Sequence, residues 1–284
     1  MNTKLIMVEG LPGAGKTTNA IKIYEYLKGK NINAVLYEEG ELHPVDLKLN
    51  ACVSKELYDE ILIKYSDIAD EIVKNTAWNG NQAVIAFSRI SCNNKAFYSE
   101  MDSYEIYNGR VDIDKFCNLL KDRWANFAKG AVQKEELNIF ESSFMQSQVN
   151  DLLGIYNCDN QITFDYLEDV LDSVKELNPL IIYLSLNDIE KTLKRIANER
   201  ISNDAWANWI DMAIGWIEWI PYGKKHNLKG FEGVVEYCRA RKELEEEFLN
   251  KRAKNYKIIN ISDDYDNVWE DIKVVLDNLK LNNY

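Results

Sequence analysis

The sequence predicts an α/β fold built on a five-stranded parallel sheet with helices on both faces. Short apolar runs alternate with amphipathic helical patterns along the chain, which is typical of parallel sheets. The chain also opens with an apolar strand pattern, a glycine-rich loop and a helical pattern. Its 284 residues, 46% of them hydrophobic, are enough to bury a sizeable core.

The first predicted element is a buried strand over residues 4–8, followed by a helix that ends near Gly29. The helix carries Ala20, Ile23 and Leu27 on one face, together with Tyr24. A second strand is predicted over residues 33–37, which completes a β-loop-α-β unit with a right-handed crossover.

Residues 40–135 are predicted to form a long insertion between the second and third main strands. Within it, Ser54 can cap a helix, and residues 83–87 read as a strand. The helix after Ser54 is expected to be continuous, and a second amphipathic helix follows the strand. Their apolar stripes are Leu57, Ile61, Tyr65, Ile68 and Ile72 in the first, and Ile113, Phe116, Leu120 and Phe127 in the second.

Three more main strands are predicted, over residues 137–140, 180–184 and 257–261. Asn187 or Asp188 can cap a helix that runs through Arg200. Residues 206–219 form an aromatic helical segment, and the last helix carries Trp269, Ile272, Leu276 and Leu279. Residues 1–284 are therefore expected to form one domain that contains the insertion.

Composition restricts the possible partners. The formal charge of -12 disfavours nucleic acid, because a strongly negative surface repels phosphate backbones. Five cysteines without a C-x-x-C pair, and only two histidines, disfavour a zinc site. The absence of a signal pattern or a long apolar run predicts reduced thiols, no membrane partner and a cytoplasmic location. The oligomeric state is left open.

The most specific signal is the run Gly10-Leu11-Pro12-Gly13-Ala14-Gly15-Lys16-Thr17, which matches G-x-x-x-x-G-K-[ST] at every fixed position. Glycines let successive backbone N–H groups point at one phosphate chain, and the following helix adds its positive end. The Lys16 ammonium can reach the β- and γ-phosphates, and the Thr17 hydroxyl can bind Mg²⁺. We therefore expect the three-layer fold of P-loop NTPases, with ATP as a substrate and Mg²⁺ as its cofactor.

The layout resembles the thymidylate kinase and deoxynucleoside kinase group of P-loop kinases, and we suspect a bacterial branch of that group. The resembling segments are short apart from the P-loop: Val8 to Thr18, Glu38-Glu39, Phe140-Glu141-Ser142-Ser143, Tyr183-Leu184, Lys194-Arg195-Ile196 and Glu199-Arg200. Together they cover about half of the chain.

The resemblance implies roles for residues outside the P-loop. Glu39, or its neighbour Glu38, would be the general base on the acceptor hydroxyl. Glu141 would help to hold Mg²⁺, in a place where this group has Glu-Arg-Ser and this chain has Glu-Ser-Ser. Arg195 and Arg200 would be lid arginines that neutralise charge on the transferring phosphoryl group. Thr18 would extend the nucleotide-binding loop.

Several of these residues have simpler interpretations. Glu39 can be a solvated strand end, and Arg195 can form an exposed ion pair with Glu199, four residues later on the helix. His43 and Asp46 are candidate substrate contacts, although a lone histidine is usually structural.

Two further groups allow two interpretations each. The first group is a tryptophan stripe that can be core or an aromatic slot for a flat substrate, and the second is a basic loop that can be solvated or an anion-binding lid. Their members are Trp206, Trp209, Trp216 and Trp219 for the stripe, and Lys224, Lys225, His226 and Lys229 for the loop.

The expected function is transfer of the ATP γ-phosphoryl group to a hydroxyl or phosphate of a small molecule, with a nucleoside or nucleotide acceptor favoured. The insertion at residues 40–135 is expected to bind the acceptor as a cap. The alternatives are a kinase of a non-nucleoside metabolite or antibiotic, and a P-loop NTP hydrolase or switch without an acceptor.

Overall fold

The computed structural model describes residues 3–39, 43–201, 208–261 and 267–279. The chain divides into two compact units, one formed by Met1–Pro44 with Trp124–Tyr284 and one formed by Val45–Arg123. The described strands are β1 (Leu5–Gly10), β2 (Ala34–Tyr37), β3 (Ala51–Ser54), β4 (Thr76–Asn79), β5 (Gln82–Ile85), β6 (Leu137–Glu141), β7 (Leu180–Leu186) and β8 (Tyr256–Ile261).

The described α-helices follow the same chain order. They are α1 (Lys16–Gly29), α2 (Lys55–Lys64), α3 (Ala69–Lys74), α4 (Lys95–Ser103), α5 (Ile113–Val132), α6 (Gln146–Val149), α7 (Asn160–Ser173), α8 (Ile189–Glu199), α9 (Trp209–Trp219), α10 (Pro221–Lys225), α11 (Gly230–Lys251) and α12 (Val268–Asp277). Two short 3₁₀ segments (Phe87–Arg89 and Lys175–Leu177) and one π-helical turn (Asn150–Ile155) complete the set.

The first unit contains a five-stranded parallel sheet in the order β2-β6-β1-β7-β8. The central strand β1 is buried along its whole length, and β6 and β7 flank it and are buried as well. This confirms the predicted α/β fold with five parallel strands. All five carboxyl ends lie at one edge, where ligands bind in sheets of this kind.

Right-handed crossovers place helices on both faces of the sheet. The connection from β1 to β2 runs in one direction along the sheet, and the connection from β7 to β8 runs in the other, so α1 and α11 lie on opposite faces. On the α1 face, Tyr26 packs edge-on against Trp269 of α12. On the other face, α7 and α11 meet where Phe164 contacts Phe248.

The second unit has its own antiparallel sheet in the order β3-β5-β4. Its core joins the sheet to α2, α3 and α4 through fully buried side chains such as Ile72, Phe97 and Met101. The predicted strand at residues 83–87 corresponds to β5, and the sheet around it lies in the chain after β2, as expected for an insertion.

Some elements differ from the sequence prediction. The stripe from Leu57 to Ile72 forms two helices, because α2 ends at Lys64 and α3 starts only at Ala69. The short strands β3 and β4 and the helices α4, α7 and α11 were not predicted. In α11 the buried face includes Arg241 and Glu245, which interrupt the apolar pattern. No helix in the described part of the chain is both long and apolar enough to span a bilayer.

Candidate functional site

The P-loop is the turn that joins β1 to α1 at the carboxyl edge of the sheet. Gly10 has φ of 146°, and a Cβ atom there would lie 2.5 Å from the carbonyl oxygen of Leu184 on the neighbouring strand. Gly15 caps α1 in the left-handed region, with φ of 82°. Larger residues would strain both positions. The glycines of the motif therefore permit the close turn that brings backbone N–H groups together at the helix N-terminus.

Lys16 is buried at the start of α1, and its ammonium group donates to the carbonyl of Leu11 at 3.2 Å. Burial lowers the pKa of Lys16, and the positive charge of Arg241 lowers it further. The carboxylates of Glu141, Glu39 and Glu9 act in the opposite direction. A buried ammonium under these conditions gains from an anionic ligand placed against it.

A cavity of about 560 Å³ opens beside the P-loop, within the usual size range of ligand sites. Five of the eight residues of the P-loop motif line this cavity. Acidic, amide and basic side chains from other segments of the chain line it as well. The lining residues are Pro12, Gly13, Gly15, Lys16, Thr17, Thr18, Asn19, Lys22, Glu39, Glu141, Gln146, Arg195, Ile196, Glu199, Arg200, Trp209, Val268 and Trp269.

Two acidic residues that line this cavity, Glu39 and Glu141, are joined through a backbone contact. Glu141 ends β6 and is almost fully buried, and its Oε2 accepts a hydrogen bond from the backbone N–H of Glu39 at 2.9 Å. Its Oε1 accepts from the hydroxyl of Ser142 at 2.6 Å. The exposed side chain of Glu39 accepts from the amide of Gln146 at 2.6 Å. Each carboxylate oxygen of Glu141 therefore keeps lone-pair capacity for a further partner.

Two residues at this corner had no role assigned from the sequence. Gln146 begins α6 and orients Glu39, but a single glutamine has no recognisable pattern. Ser142 has φ of 61°, a strained backbone conformation for a residue with a side chain. Its N–H donates to the carbonyl of Val8 at 3.1 Å, so the strain coincides with the junction of β6 and β1. Strained positions of this kind concentrate at functional sites.

The candidate lid arginines both line the cavity but have different contacts. The Nη1 atom of Arg195 lies 3.0 Å from the Glu199 carboxylate, so the ion pair expected from their spacing is present. The Nη2 atom of Arg195 also donates to the carbonyl of Gly13 at 3.2 Å, which attaches α8 to the P-loop. Arg200 instead stacks its guanidinium 5.8 Å from the ring centre of Trp209.

The tryptophan stripe is divided between different environments. Trp209 lines the cavity, as does Trp269 of α12, whereas Trp216 packs edge-on against Tyr237. Trp219 is exposed, and Trp206 lies outside the described residues. The described tryptophans of the stripe therefore do not form a single face of the core, and Trp209 is the one among them that lines the cavity. From the sequence, Trp269 is placed in the last helix without a role at the site.

The other candidates are not among the residues that line the cavity. His43 is buried, with its ring 4.4 Å from that of Phe140, as expected for a structural histidine. Asp46 belongs to the second unit, where its Oδ1 accepts from the backbone N–H of Lys48 at 3.0 Å. The basic segment is not wholly a loop, because Lys224 and Lys225 lie in α10 and His226 caps it, with the His226 ring stacked on Tyr222.

A second group of charged side chains is buried next to the P-loop, and the sequence reasoning had not predicted it. Glu9 is fully buried in β1, and its Oε1 accepts from the backbone N–H of Phe144 at 2.7 Å. Desolvation is the main cause that raises the pKa of Glu9 to about 7. On α11, Arg241 donates to Glu245 at 2.6 Å, and Glu245 accepts from the Tyr183 hydroxyl at 2.7 Å.

The chain matches no protein-family model, and a search of curated proteins found no significant relative. The functional argument therefore depends on the site itself. The cavity lining combines residues of the P-loop motif, the buried ammonium of Lys16, the acidic residues Glu39 and Glu141, and two guanidinium groups. These groups can bind a polyphosphate with a divalent cation and can stabilise negative charge during its transfer.

Proposed function

We propose that this protein transfers the γ-phosphoryl group of ATP, bound with Mg²⁺, to a hydroxyl or phosphate of a small molecule. The observation that carries the proposal is the complete P-loop motif at the start of α1, with Glu39 and Glu141 joined at the side of the same cavity. A phosphate-binding loop alone is compatible with any nucleotide-binding protein. The adjacent pair of carboxylates adds the groups that phosphoryl transfer to an acceptor requires.

The triphosphate would lie along the P-loop. Its backbone N–H groups and the N-terminus of α1 would face the phosphate oxygens, and Lys16 would exchange its contact with the Leu11 carbonyl for the β- and γ-phosphates. Arg195 is attached to Gly13 of the same loop, which favours a contact with the γ-phosphate. These contacts would stabilise the charge that develops on the transferring group.

Thr17 and Glu141 are suited to hold Mg²⁺ with the phosphates. Both line the cavity, and hydroxyl and carboxylate oxygens are the protein ligands that this ion prefers. Glu141 is held by two hydrogen bonds, and its oxygens still have free lone pairs. When bound, Mg²⁺ would supply positive charge that neutralises the phosphates. Mg²⁺ usually keeps several water ligands, so two protein ligands are enough to hold it with the phosphates.

Glu39 is the best candidate for the group that prepares the acceptor. Its carboxylate is exposed in the cavity, and Gln146 and the backbone contact to Glu141 restrict its position. A carboxylate in this place can orient an acceptor hydroxyl and accept its proton as the phosphoryl group transfers. Glu38, its neighbour, is not among the lining residues.

The aromatic residues of the cavity lining are suited to the base of the nucleotide. Trp209 and Trp269 both line the cavity, and the Arg200 guanidinium lies over the Trp209 ring. Aromatic rings and a guanidinium plane accept any flat base, so these residues support the binding of ATP and of GTP alike.

The acceptor that we propose is a nucleoside or a nucleotide. It is supported by the resemblance of the P-loop, the Glu39 position and the Glu141 position to thymidylate and deoxynucleoside kinases. The serine at position 142, where that group has arginine, leaves a non-nucleoside metabolite or antibiotic as the alternative acceptor.

The test has two steps. Thermal unfolding is first measured with and without millimolar Mg-ATP or Mg-GTP, and we expect a rise in Tm because the ligand binds only the native state. The protein is then incubated with γ-labelled ATP and a panel of nucleosides, nucleotides, sugars and antibiotics. A newly labelled compound identifies the kinase and its acceptor. Release of labelled phosphate alone across the panel indicates a hydrolase, and no Tm shift with either nucleotide refutes the proposal.

A further inference from the structure

The buried group on α11 contains an arginine whose hydrogen bonds are incomplete. Arg241 is only 2% exposed. Its Nε donates to Glu245 at 2.6 Å and its Nη1 donates to Asn150 at 3.3 Å. Its Nη2 is buried and has no hydrogen-bond partner among the residues that the structure describes. A buried guanidinium that keeps an unused N–H fork is costly for the fold.

The direction of α11 locates this guanidinium at the carboxyl edge of the sheet. Because α11 leads into β8, which is parallel to β7, the helix runs antiparallel to β7. Side-chain contacts agree, since Ser185 donates to Glu246 at 2.5 Å and Lys242 donates to the carbonyl of Leu186 at 2.9 Å. Arg241 precedes both helix residues and therefore lies at or beyond the end of β7, level with the P-loop.

Arg241 is also on the sheet face that carries Glu9. Tyr183 pairs with Glu9 in the register of β7 and β1, so the two side chains point to the same face. Tyr183 in turn donates to Glu245, the ion-pair partner of Arg241. Arg241 is near enough to Lys16 for its charge to contribute, after burial, to the lowered pKa of that ammonium.

Two more buried polar atoms at this corner have no partner among the described residues. They are the Oε2 of Glu9 and the hydroxyl of Ser143. The backbone N–H of Phe144 donates to the other oxygen of Glu9, so Ser143 and Glu9 are neighbours. Buried donors and acceptors that lack partners in residues next to the P-loop indicate a place for a polar ligand or for the water that precedes it.

The guanidinium is held in one orientation. Glu245 fixes its Nε edge, while Asn150, at the start of the π-helical turn, accepts from Nη1 and from the Tyr237 hydroxyl at 3.2 Å. A guanidinium that is held in this way loses little side-chain entropy when its Nη2 group binds a carboxylate or phosphate. π-helical turns are also frequent at functional sites.

We infer that Arg241 binds an anionic group, a phosphate or a carboxylate, on the acceptor molecule through its open Nη2. The inference rests on the proposed phosphotransferase function and narrows its acceptor to the class of small molecules that already carry a negative charge. Arg241 would supply the cation that binds the charged group of the acceptor, while Lys16 and the P-loop would bind the nucleotide.

The test uses inorganic phosphate to probe the Arg241 site separately from the nucleotide site. The protein is saturated with Mg²⁺ and a non-hydrolysable ATP analogue, so that the P-loop is filled, and inorganic phosphate is then titrated in a calorimeter. Wild type is expected to bind phosphate. Arg241→Lys keeps the charge beside Glu245 but lacks the Nη2 fork, so its phosphate affinity should fall by about tenfold or more. Arg239→Lys is the matched control, because Arg239 is exposed on the same helix and is paired with Glu236.

A second variant protects the test against misfolding. Arg241→Met with Glu245→Gln removes both buried charges together and still lets residue 245 accept from Tyr183. It should retain its near-ultraviolet circular dichroism and its binding of the ATP analogue, and it should lose phosphate binding. Equal phosphate affinity in wild type and both Arg241 variants, or no phosphate binding in wild type, overturns the inference. Failure to bind the ATP analogue in wild type instead overturns the proposed function on which it rests.

Discussion

Glu39 and Glu141 are joined by a hydrogen bond from the backbone N–H of Glu39 to the Oε2 of Glu141, at 2.9 Å. The contact ties the segment after β2 to the end of β6, strands that pair in register at Tyr37 and Phe140. Since both residues line the cavity beside the P-loop, two acids that are 102 positions apart in the chain occupy one corner of it.

Glu39→Gln keeps the shape of the side chain and removes its charge. If Glu39 is the general base, kcat should fall by about 10²–10⁴-fold while Mg-ATP still raises Tm. Glu38→Gln is the control and should have little effect. Steady-state kinetics with the identified acceptor provide the measurement. A reversal of the two effects would move the role to Glu38, and no effect from either would indicate an acceptor that is already ionised, such as a phosphate.

Glu141→Gln should weaken Mg²⁺ binding without removing nucleotide binding, because glutamine can still accept from the backbone N–H of Glu39 but carries no charge. We expect the Mg²⁺ concentration for half-maximal activity to rise by about tenfold or more. Glu135→Gln, at an exposed position just before β6, is the control. An unchanged Mg²⁺ dependence would exclude Glu141 as a ligand or orienting group of the ion.

Lys16→Met should abolish turnover and the rise in Tm with Mg-ATP, while Lys28→Met, an exposed control on the same helix, should do neither. At a hundredfold excess over Kd the ligand stabilises wild type by about 2.7 kcal/mol. Because burial lowers the pKa of Lys16, the folded protein disfavours the charged ammonium. The ligand-free Lys16→Met variant should therefore be at least as stable as wild type. Calorimetric melting tests both points, and a full Mg-ATP shift in this variant would contradict the site.

Arg195 and Arg200 should differ in their kinetic effects. Arg195→Ala loses the contact to the P-loop, so we expect a large fall in kcat. Arg200→Ala loses the stacking on Trp209, so we expect mainly a rise in KM for ATP. Lys191→Ala, exposed on α8, is the control. If both arginine variants keep wild-type kcat and KM, the exposed ion pair of Arg195 with Glu199 is the whole role of that residue.

Glu9 should make stability depend on pH. Its pKa is about 7 in the folded protein against an ordinary value of 4.5, so the native state binds more protons than the unfolded state between these values. The contribution of Glu9 to stability is fully present below about pH 4.5 and is lost as the pH rises through about 7, a loss on the order of 3 kcal/mol.

Glu9→Gln removes this titration and keeps an oxygen that accepts from Phe144. Urea unfolding between pH 4.5 and 8 should show the variant gaining stability relative to wild type as the pH rises. Glu25→Gln, at an exposed position on α1, should follow wild type across the range. Parallel pH curves for wild type and Glu9→Gln would show that the Glu9 carboxyl titrates normally in the fold.

The five parallel strands, the P-loop motif and the long insertion can be predicted from the sequence alone. These features are written in local patterns: a period of apolar residues, a run of glycines with lysine and threonine, and caps such as Ser54 and Asp188, both of which cap helices in the structure. Each of these features depends on residues that are close together in the chain, so it can be recognised without knowing how the chain packs.

The contacts between side chains that are distant in the sequence become apparent in the folded chain. The contact of Glu39 with Glu141, the support from Gln146, the position of Trp269 at the cavity and the buried group of Glu9, Arg241 and Glu245 join segments far apart in sequence. Charged residues in helical patterns read as solvent-exposed, and for that reason α11 was missed. Burial of Arg241 and Glu245 is tolerated because each neutralises the other, and pairing of that kind is set by how the helix packs on the sheet rather than by its own sequence.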